Sequence, residues 1–149
     1  MPAILHRFSI DAPPAAVLDL AASSTGIEQW WTGRPVTGDL SAGGQFAVFF
    51  ADGGSPAATF TMVERSDSRV VWLCTDGPDD WRDTTLSFEV RPRPGGGTTL
   101  LFTHDKWAKE SEFMAGCSTN WGAYLTSLKA GAESGAFAPF PNGEMSRWD

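Results

Sequence analysis

Between Lys109 and Ser134 the apolar side chains fall at three- and four-residue steps: Phe113, Cys117, Trp121, Tyr124, Leu125, Leu128 and Ala132. That spacing draws one continuous stripe along a long helix, and the stripe has to be buried against something. No second long helix is legible upstream. From Gln45 to His104 the chain instead runs in short segments broken by glycine, proline and aspartate, the pattern of an antiparallel sheet. A single long helix laid across a curved sheet makes a container, so a cavity is the first functional expectation. The helix is expected from about Lys109 and fades at Glu133-Ser134-Gly135, glycine being favoured just past a helix end.

The earlier part of the chain completes this layout. Ile4 to Ile10 alternates Ile4, His6, Phe8 and Ile10 against Leu5, Arg7 and Ser9, which suits a first strand. Asp11-Ala12-Pro13-Pro14 stops it, and Pro14 to Ala22 reads as a short helix with Val17, Leu18 and Ala21 inward. Ser23-Ser24-Thr25 offers a cap, and Thr25-Gly26-Ile27-Glu28 resembles a capping box for a second short helix ending at Trp30-Trp31. Strands are expected at 36–40, 45–50, 57–65, 69–75, 84–91 and 98–104. After Gly135 the tail carries Phe137, Phe140 and Trp148 on a proline-broken backbone and reads as a non-helical strap. Nothing in the sequence separates two domains, so residues 1–149 are read as one, with a core at 4–135 and an extended aromatic tail at 136–149.

Composition limits the partners. Net charge is −7 with no cluster of lysine or arginine, so a phosphate backbone has nothing to bind and nucleic acid is excluded. An anionic lipid surface is disfavoured for the same reason, and no apolar run approaches the roughly 20 residues that span a bilayer. Cys74 and Cys117 lie far apart in apolar patterns, as buried free thiols do in a reducing compartment. Met1-Pro2-Ala3-Ile4-Leu5-His6-Arg7 lacks the order of a signal peptide, so a cytoplasmic protein is expected.

Several segments, in order, resemble one family. Phe8-Ser9-Ile10-Asp11-Ala12-Pro13-Pro14-Ala15-Ala16-Val17 is a strand running into Ala-Pro and a helix with an inward valine. Trp30-Trp31 closes the second helix. Gly43-Gly44-Gln45-Phe46, Val70-Val71-Trp72, Thr85-Leu86-Ser87-Phe88, Phe102-Thr103-His104 and Trp121-Gly122-Ala123-Tyr124-Leu125-Thr126-Ser127-Leu128-Lys129 follow. Together they resemble the START-like (SRPBCC) superfamily, in the branch of the activator of the heat-shock-protein-90 ATPase. The resemblance covers about residues 4–135. It implies an α+β helix-grip fold: about seven antiparallel strands wrapped around a long C-terminal helix, with two short helices after strand 1. Members bind lipids, sterols or hormones, cyclise polyketides, serve as oxygenase domains or assist a chaperone, so the fold alone does not name an activity.

The resemblance puts Leu100, Phe102 and His104 on the inner face and Thr99 and Thr103 outside. Alternation extends the inner set to Phe46, Val48 and Phe50; Phe60, Met62 and Glu64; Val70, Trp72 and Cys74; and Leu86, Phe88 and Val90. The candidate cavity lining is therefore Trp31, Phe46, Phe60, Met62, Trp72, Trp81, Phe88, Phe102, His104, Phe113, Cys117, Trp121 and Tyr124. The competing reading is a core in which these rings fill the space completely. On the opposite face, Phe49, Val63, Val71, Leu73 and Leu101 would form an apolar patch whose simplest cover is a second copy of the chain.

Chemistry is thinly represented. His104-Asp105 could form a base and its orienting carboxylate, although a structural histidine at the strand end is the stronger reading. Glu64 would be a carboxylate on the inner face, although a position near the strand end, solvated or paired with an arginine, is the stronger reading. Asp76, Asp79, Asp80 and Asp83 surround Trp81 in one loop, a solvated turn by the ordinary reading, that could also rim a cavity mouth. Two histidines without a cysteine or carboxylate cluster give no metal site, and no cofactor motif stands out. The expectation is a non-catalytic domain that binds a hydrophobic or aromatic small molecule. The alternatives are a cyclase or dehydratase moving protons with His104, Glu64 or Tyr124, and a chaperone-linked role by analogy with the family.

Overall fold

The structure, a computed structural model, describes residues 1–141 and Arg147. The third tail aromatic, Trp148, lies outside the described residues. Strand β1 (Ile4–Ile10) leads through Asp11–Pro13 into helix α1 (Pro14–Ala22). Helix α2 (Ser24–Ile27) continues directly into a π-helical turn, Glu28–Thr32, closed by the Gly33 N–H on the Glu28 carbonyl at 3.0 Å. Six strands follow: β2 (Thr37–Gly38), β3 (Gln45–Val48), β4 (Ala58–Arg65), β5 (Arg69–Asp76), β6 (Thr85–Pro92) and β7 (Thr98–Asp105). Helix α3 (Glu112–Ser134) closes the fold.

All seven strands form one antiparallel sheet, in the order β1-β7-β6-β5-β4-β3-β2. Strand β1 joins beside the last strand, so the sheet curves around α3 and the first strand bears on that helix. Lys129 Nζ on α3 donates to the Ser9 carbonyl at 2.6 Å, and His6 Nε2 lies 3.1 Å from the Ser118 carbonyl.

Local chemistry sets the ends of the elements. Helix α3 begins three residues after Lys109 because Ser111 caps it, its Oγ accepting from the Met114 N–H at 3.1 Å. It stops where Gly135 adopts a left-handed φ of 78° and returns its N–H to the Gly131 carbonyl at 2.8 Å. The cap of α2 is Ser23, whose Oγ accepts from the Gly26 N–H at 3.1 Å. The expected box at Thr25–Glu28 does not form, because the Glu28 carboxylate reaches forward to the Val36 N–H at 2.8 Å. Between Val36 and Leu40 only Thr37 and Gly38 pair as a strand, and Phe49 and Phe50 leave the ladder after Val48.

The inner face carries the core. Phe46, Phe60, Met62, Trp72, Leu86, Phe88, Leu100 and Phe102 are buried to within a percent of completely. The rings interlock: Trp72 meets Phe88 at 4.8 Å between centroids and Phe60 at 5.3 Å, and Phe88 meets Phe102 edge-on at 5.2 Å. At such separations the rings leave no gap for a ligand between them.

Glu64 departs from the expected alternation. A bulge between Met62 and Glu64 leaves Val63 as the extra residue, so Glu64 stands opposite Val71 and Arg65 opposite Val70. One inserted residue swaps the faces of everything beyond it. Glu64 is thereby turned to the outer surface, where it pairs with Arg69 at 3.0 Å. Arg65 takes the inward side and donates to the Ala22 and Leu40 carbonyls at 2.6 and 2.9 Å.

The outer face is mixed in character. Strand β6 interposes Thr85, Ser87 and Glu89 between Leu73 and Val71 on one side and Leu101 on the other. Val71 and Thr99 are almost covered by their neighbours, and Phe49, Leu73 and Leu101 are half-buried. The large apolar side chains most open to solvent on strands are Leu5 and Val63, at 71% and 50% exposure.

Candidate functional site

A pocket of about 340 Å³ opens at one end of the sandwich formed by sheet and helix. Its walls come from five parts of the chain. The π-helical turn supplies Trp31, and the β3–β4 connection with the first residue of β4 supplies Phe50, Ala57 and Ala58. The β5–β6 connection adds Pro78 and Trp81. The first half of α3 contributes Phe113, Cys117, Asn120, Trp121 and Tyr124, and the tail contributes Phe140. None of these side chains carries a formal charge at neutral pH. Its size and apolar lining are those of a small-molecule site.

The wide turn at Glu28–Thr32 lets two adjacent indoles point inward together. Trp30 is buried against α1, its Nε1–H donating to the Leu20 carbonyl at 2.7 Å. Trp31 stacks on Trp72 at 6.0 Å and reaches the pocket. There it joins Trp81 and Trp121, with centroid separations of 4.9 Å for Trp31–Trp121, 5.9 Å for Trp81–Trp121 and 6.4 Å for Trp31–Trp81. Three such similar separations describe a compact triangle and rule out a linear stack.

The tail completes one wall. Gly131 leaves room for the ring of Phe137, since a Cβ there would collide with its ring carbons. Beyond it, the Ala138 N–H donates to Ser127 Oγ at 2.8 Å and the Phe140 N–H to the Trp31 carbonyl at 2.8 Å. Gly33, at a φ of 63°, lets the Phe140 carbonyl approach to a distance that any Cβ would block. Phe140 then meets Phe50 edge-on at 5.1 Å.

His104 sits behind this wall and not in it. Its ring is fully buried, with each nitrogen engaged. Trp121 Nε1–H donates to Nδ1 at 3.2 Å, which leaves the proton on Nε2 to be donated to Thr84 Oγ1 at 2.8 Å. Thr84 passes its own hydroxyl proton to the Trp81 carbonyl. The Trp107 Nε1–H holds the His104 carbonyl at 3.0 Å. Burial pushes the imidazole pKa down to about 3, so the ring is neutral and in a single tautomer. This is a strut joining α3, β7 and the β5–β6 connection.

The remaining titratable group in the walls, besides Tyr124, is Cys117. Burial raises its pKa, partly opposed by the Trp81 indole beside its sulfur and reinforced by the negative charge of Asp80. The Trp81 Nε1–H is itself buried and has no oxygen or nitrogen acceptor among the described residues. Cys74, deeper in the sheet, is pushed up to about 11, chiefly by burial.

Of the thirteen residues expected to line a cavity, Trp31, Trp81, Phe113, Cys117, Trp121 and Tyr124 line this one. Phe46, Phe60, Met62, Trp72, Phe88, Phe102 and His104 lie deeper, in the packed core. Sequence reasoning turned Phe50 inward without placing it in the lining, and left out Ala57, Ala58, Pro78, Asn120 and Phe140. Ala57, Ala58 and Pro78 hold the space open by being small or ring-closed, and such a run on a strand edge otherwise rich in aromatics was the available signal.

The geometry can be set beside known proteins. The family model described as "Activator of Hsp90 ATPase homolog 1-like protein" matches residues 11–133. The chain belongs to that family. Its α+β helix-grip architecture is shared with solved structures. The Aha1 dimer from Colwellia psychrerythraea is 29% identical, with a TM-score of 0.78 over 91% of this chain and 98% of that one. CalU16 from Micromonospora echinospora is 23% identical, with a TM-score of 0.73 over 97% and 80%. The protein SSP2350 from Staphylococcus saprophyticus is 13% identical, with a TM-score of 0.74 over 93% and 98%. The latter two establish the fold alone. None of the curated proteins matches the chain. Among the described residues, no helix of this family member is long and apolar enough to cross a membrane.

Proposed function

We propose that this protein is a non-catalytic receptor for an aromatic or apolar small molecule, held between α3 and the open end of the sheet. The observation that carries the reading is the pocket itself: about 340 Å³, walled by three indoles and three phenylalanines, with the one nearby histidine sealed away. Of the groups that could move protons in a cyclase or dehydratase, Tyr124 alone lines the pocket; Glu64 faces outward and His104 is locked neutral. Titration with the fluorescent apolar probe N-phenyl-1-naphthylamine tests the reading. Saturable binding that disappears in Ala57→Trp, which fills the pocket from its rim, is the expected result. No saturable binding to the unaltered protein would refute it.

A second property has its own support. The similar Colwellia protein is a dimer, and Leu5 and Val63 stand exposed on the outer sheet face near half-buried Leu73 and Leu101. We infer that two copies associate through this face, with Phe49, Val71, Leu73 and Leu101 at or beneath the contact. Light scattering across a concentration series would read twice the chain mass, and Val63→Lys would restore the monomer. A monomer at every concentration removes the idea.

A further inference from the structure

Charge around the pocket is distributed unevenly. The connection that supplies Pro78 and Trp81 carries four carboxylates, Asp76, Asp79, Asp80 and Asp83, against one guanidinium. That guanidinium, Arg82, is shared between Asp76 at 3.1 Å and Asp79 at 3.8 Å. Asp80 is exposed and has no ion-pair partner among the described residues. It stands next to Trp81, close enough for its charge to bear on Cys117 inside the pocket. Arg34, three residues after Trp31, is paired with Asp52 at 2.9 Å. A negative rim therefore borders an uncharged aromatic interior.

Both parts favour the same class of guest. Indole faces attract cations more strongly than other aromatic side chains do, and more so in a desolvated setting. Trp31, Trp81 and Trp121 pack on one another at 4.9 to 6.4 Å and leave no slot between them. Trp31 and Trp121 are almost covered, so a planar aromatic ligand stacks on the half-buried Trp81. Carboxylates at an entrance concentrate positive ligands and repel negative ones. An anionic lipid or acid would enter past Asp80 and then find no cation in the walls.

We propose that the pocket selects planar aromatic cations, using the Trp81 face of the Trp31–Trp81–Trp121 triangle for stacking and Asp80 as the charge selector beside it. The inference rests on the receptor reading above and specifies its ligand class.

The test uses one ring system in three charge states: N-methylacridinium as the cation, acridine under conditions where it is neutral, and acridine-9-carboxylate as the anion. Binding is followed by quenching of tryptophan fluorescence at low ionic strength. The cation is expected to bind about fivefold more tightly than the neutral ring, and the anion about fivefold more weakly, the size of one screened unit charge at short range. Asp80→Asn should collapse most of that ladder while leaving the neutral ring unchanged. Asp67→Asn, at the far end of the β4–β5 hairpin, should leave the ladder intact. Equal binding of all three, or tightest binding of the anion, overturns the charge selection and leaves the receptor reading standing. A preference for the cation that survives both Asp80→Asn and Ala57→Trp is adsorption to an acidic surface and also overturns it. If the neutral ring fails to bind as well, the receptor reading falls with it.

Discussion

The Trp121 indole N–H donates to Nδ1 of His104 across 3.2 Å, tying the middle of α3 to the end of β7. The bond decides the histidine's role. With Nδ1 used as an acceptor and Nε2–H committed to Thr84, the ring has neither a free lone pair nor an exchangeable proton to offer a substrate. Replacing it orphans a buried indole N–H and takes the donor away from the Thr84 oxygen, whose own hydroxyl still bonds the Trp81 carbonyl. His104→Ala is expected to cost about 3 kcal/mol of unfolding free energy, measured by denaturant titration. A loss under about 1 kcal/mol would show that the strut is dispensable.

The same ring makes stability depend on pH. In the unfolded chain it protonates near 6.5, and in the fold only at about 3. Between those values the unfolded state binds more protons, so stability falls as the pH is lowered. The contribution is fully present above about 6.5 and is lost progressively toward 3, with a slope approaching 1.4 kcal/mol per pH unit. Midpoints of urea unfolding across this window should show the slope in the unaltered protein and a shallower one in His104→Ala.

The strap after α3 hangs on few contacts. Gly131→Leu places side-chain atoms where the Phe137 ring now sits. Leucine is also the better helix former, so α3 should persist while the strap detaches. Hydrogen exchange at the Ala138 and Phe140 amides should accelerate at least tenfold, with exchange in the centre of the sheet unchanged. Equal protection in both proteins would mean that Phe137 is not the anchor.

The two thiols should differ in accessibility more than in acidity. Both are raised by burial, so both should alkylate slowly at neutral pH, with rates climbing toward the alkaline end. Cys117 borders the pocket and Cys74 does not. Peptide mass spectrometry after iodoacetamide treatment should find Cys117 modified first, and bound N-phenyl-1-naphthylamine should protect it. Modification of Cys74 first would contradict this placement.

The outward turn of Glu64 gives a contrasting case. Its pairing with Arg69 is solvent-exposed, and such pairs contribute under about 1 kcal/mol. Glu64→Gln should leave both stability and probe binding nearly unchanged. A large loss of binding would place that carboxylate in the site after all.

The expected elements were legible because their signals are local. Pro14 to Ala22 and Ile4 to Ile10 hold in the fold as expected, and the stripe from Phe113 to Ala132 lies on α3. The resemblance placed Phe102 on the inner face, and alternation carried from it to β5 and β6 placed Trp72 and Phe88 there; all three are buried. It could not say whether an inward ring meets a void or another ring, because that depends on how the sheet curves. Nor could it foresee the bulge at Val63, which arises from pairing between strands and has no glycine or proline to announce it. The π-helical turn at Trp30-Trp31 and the return of Phe140 to Trp31 are likewise long-range outcomes, decided by packing.

Phe140 gives this architecture a degree of freedom that the sheet lacks. Changes in the stretch following α3 could widen, narrow or reshape the pocket without disturbing a single rung of the β-ladder. Relatives with identical scaffolds could thus differ in the shape of this hollow through that one segment alone.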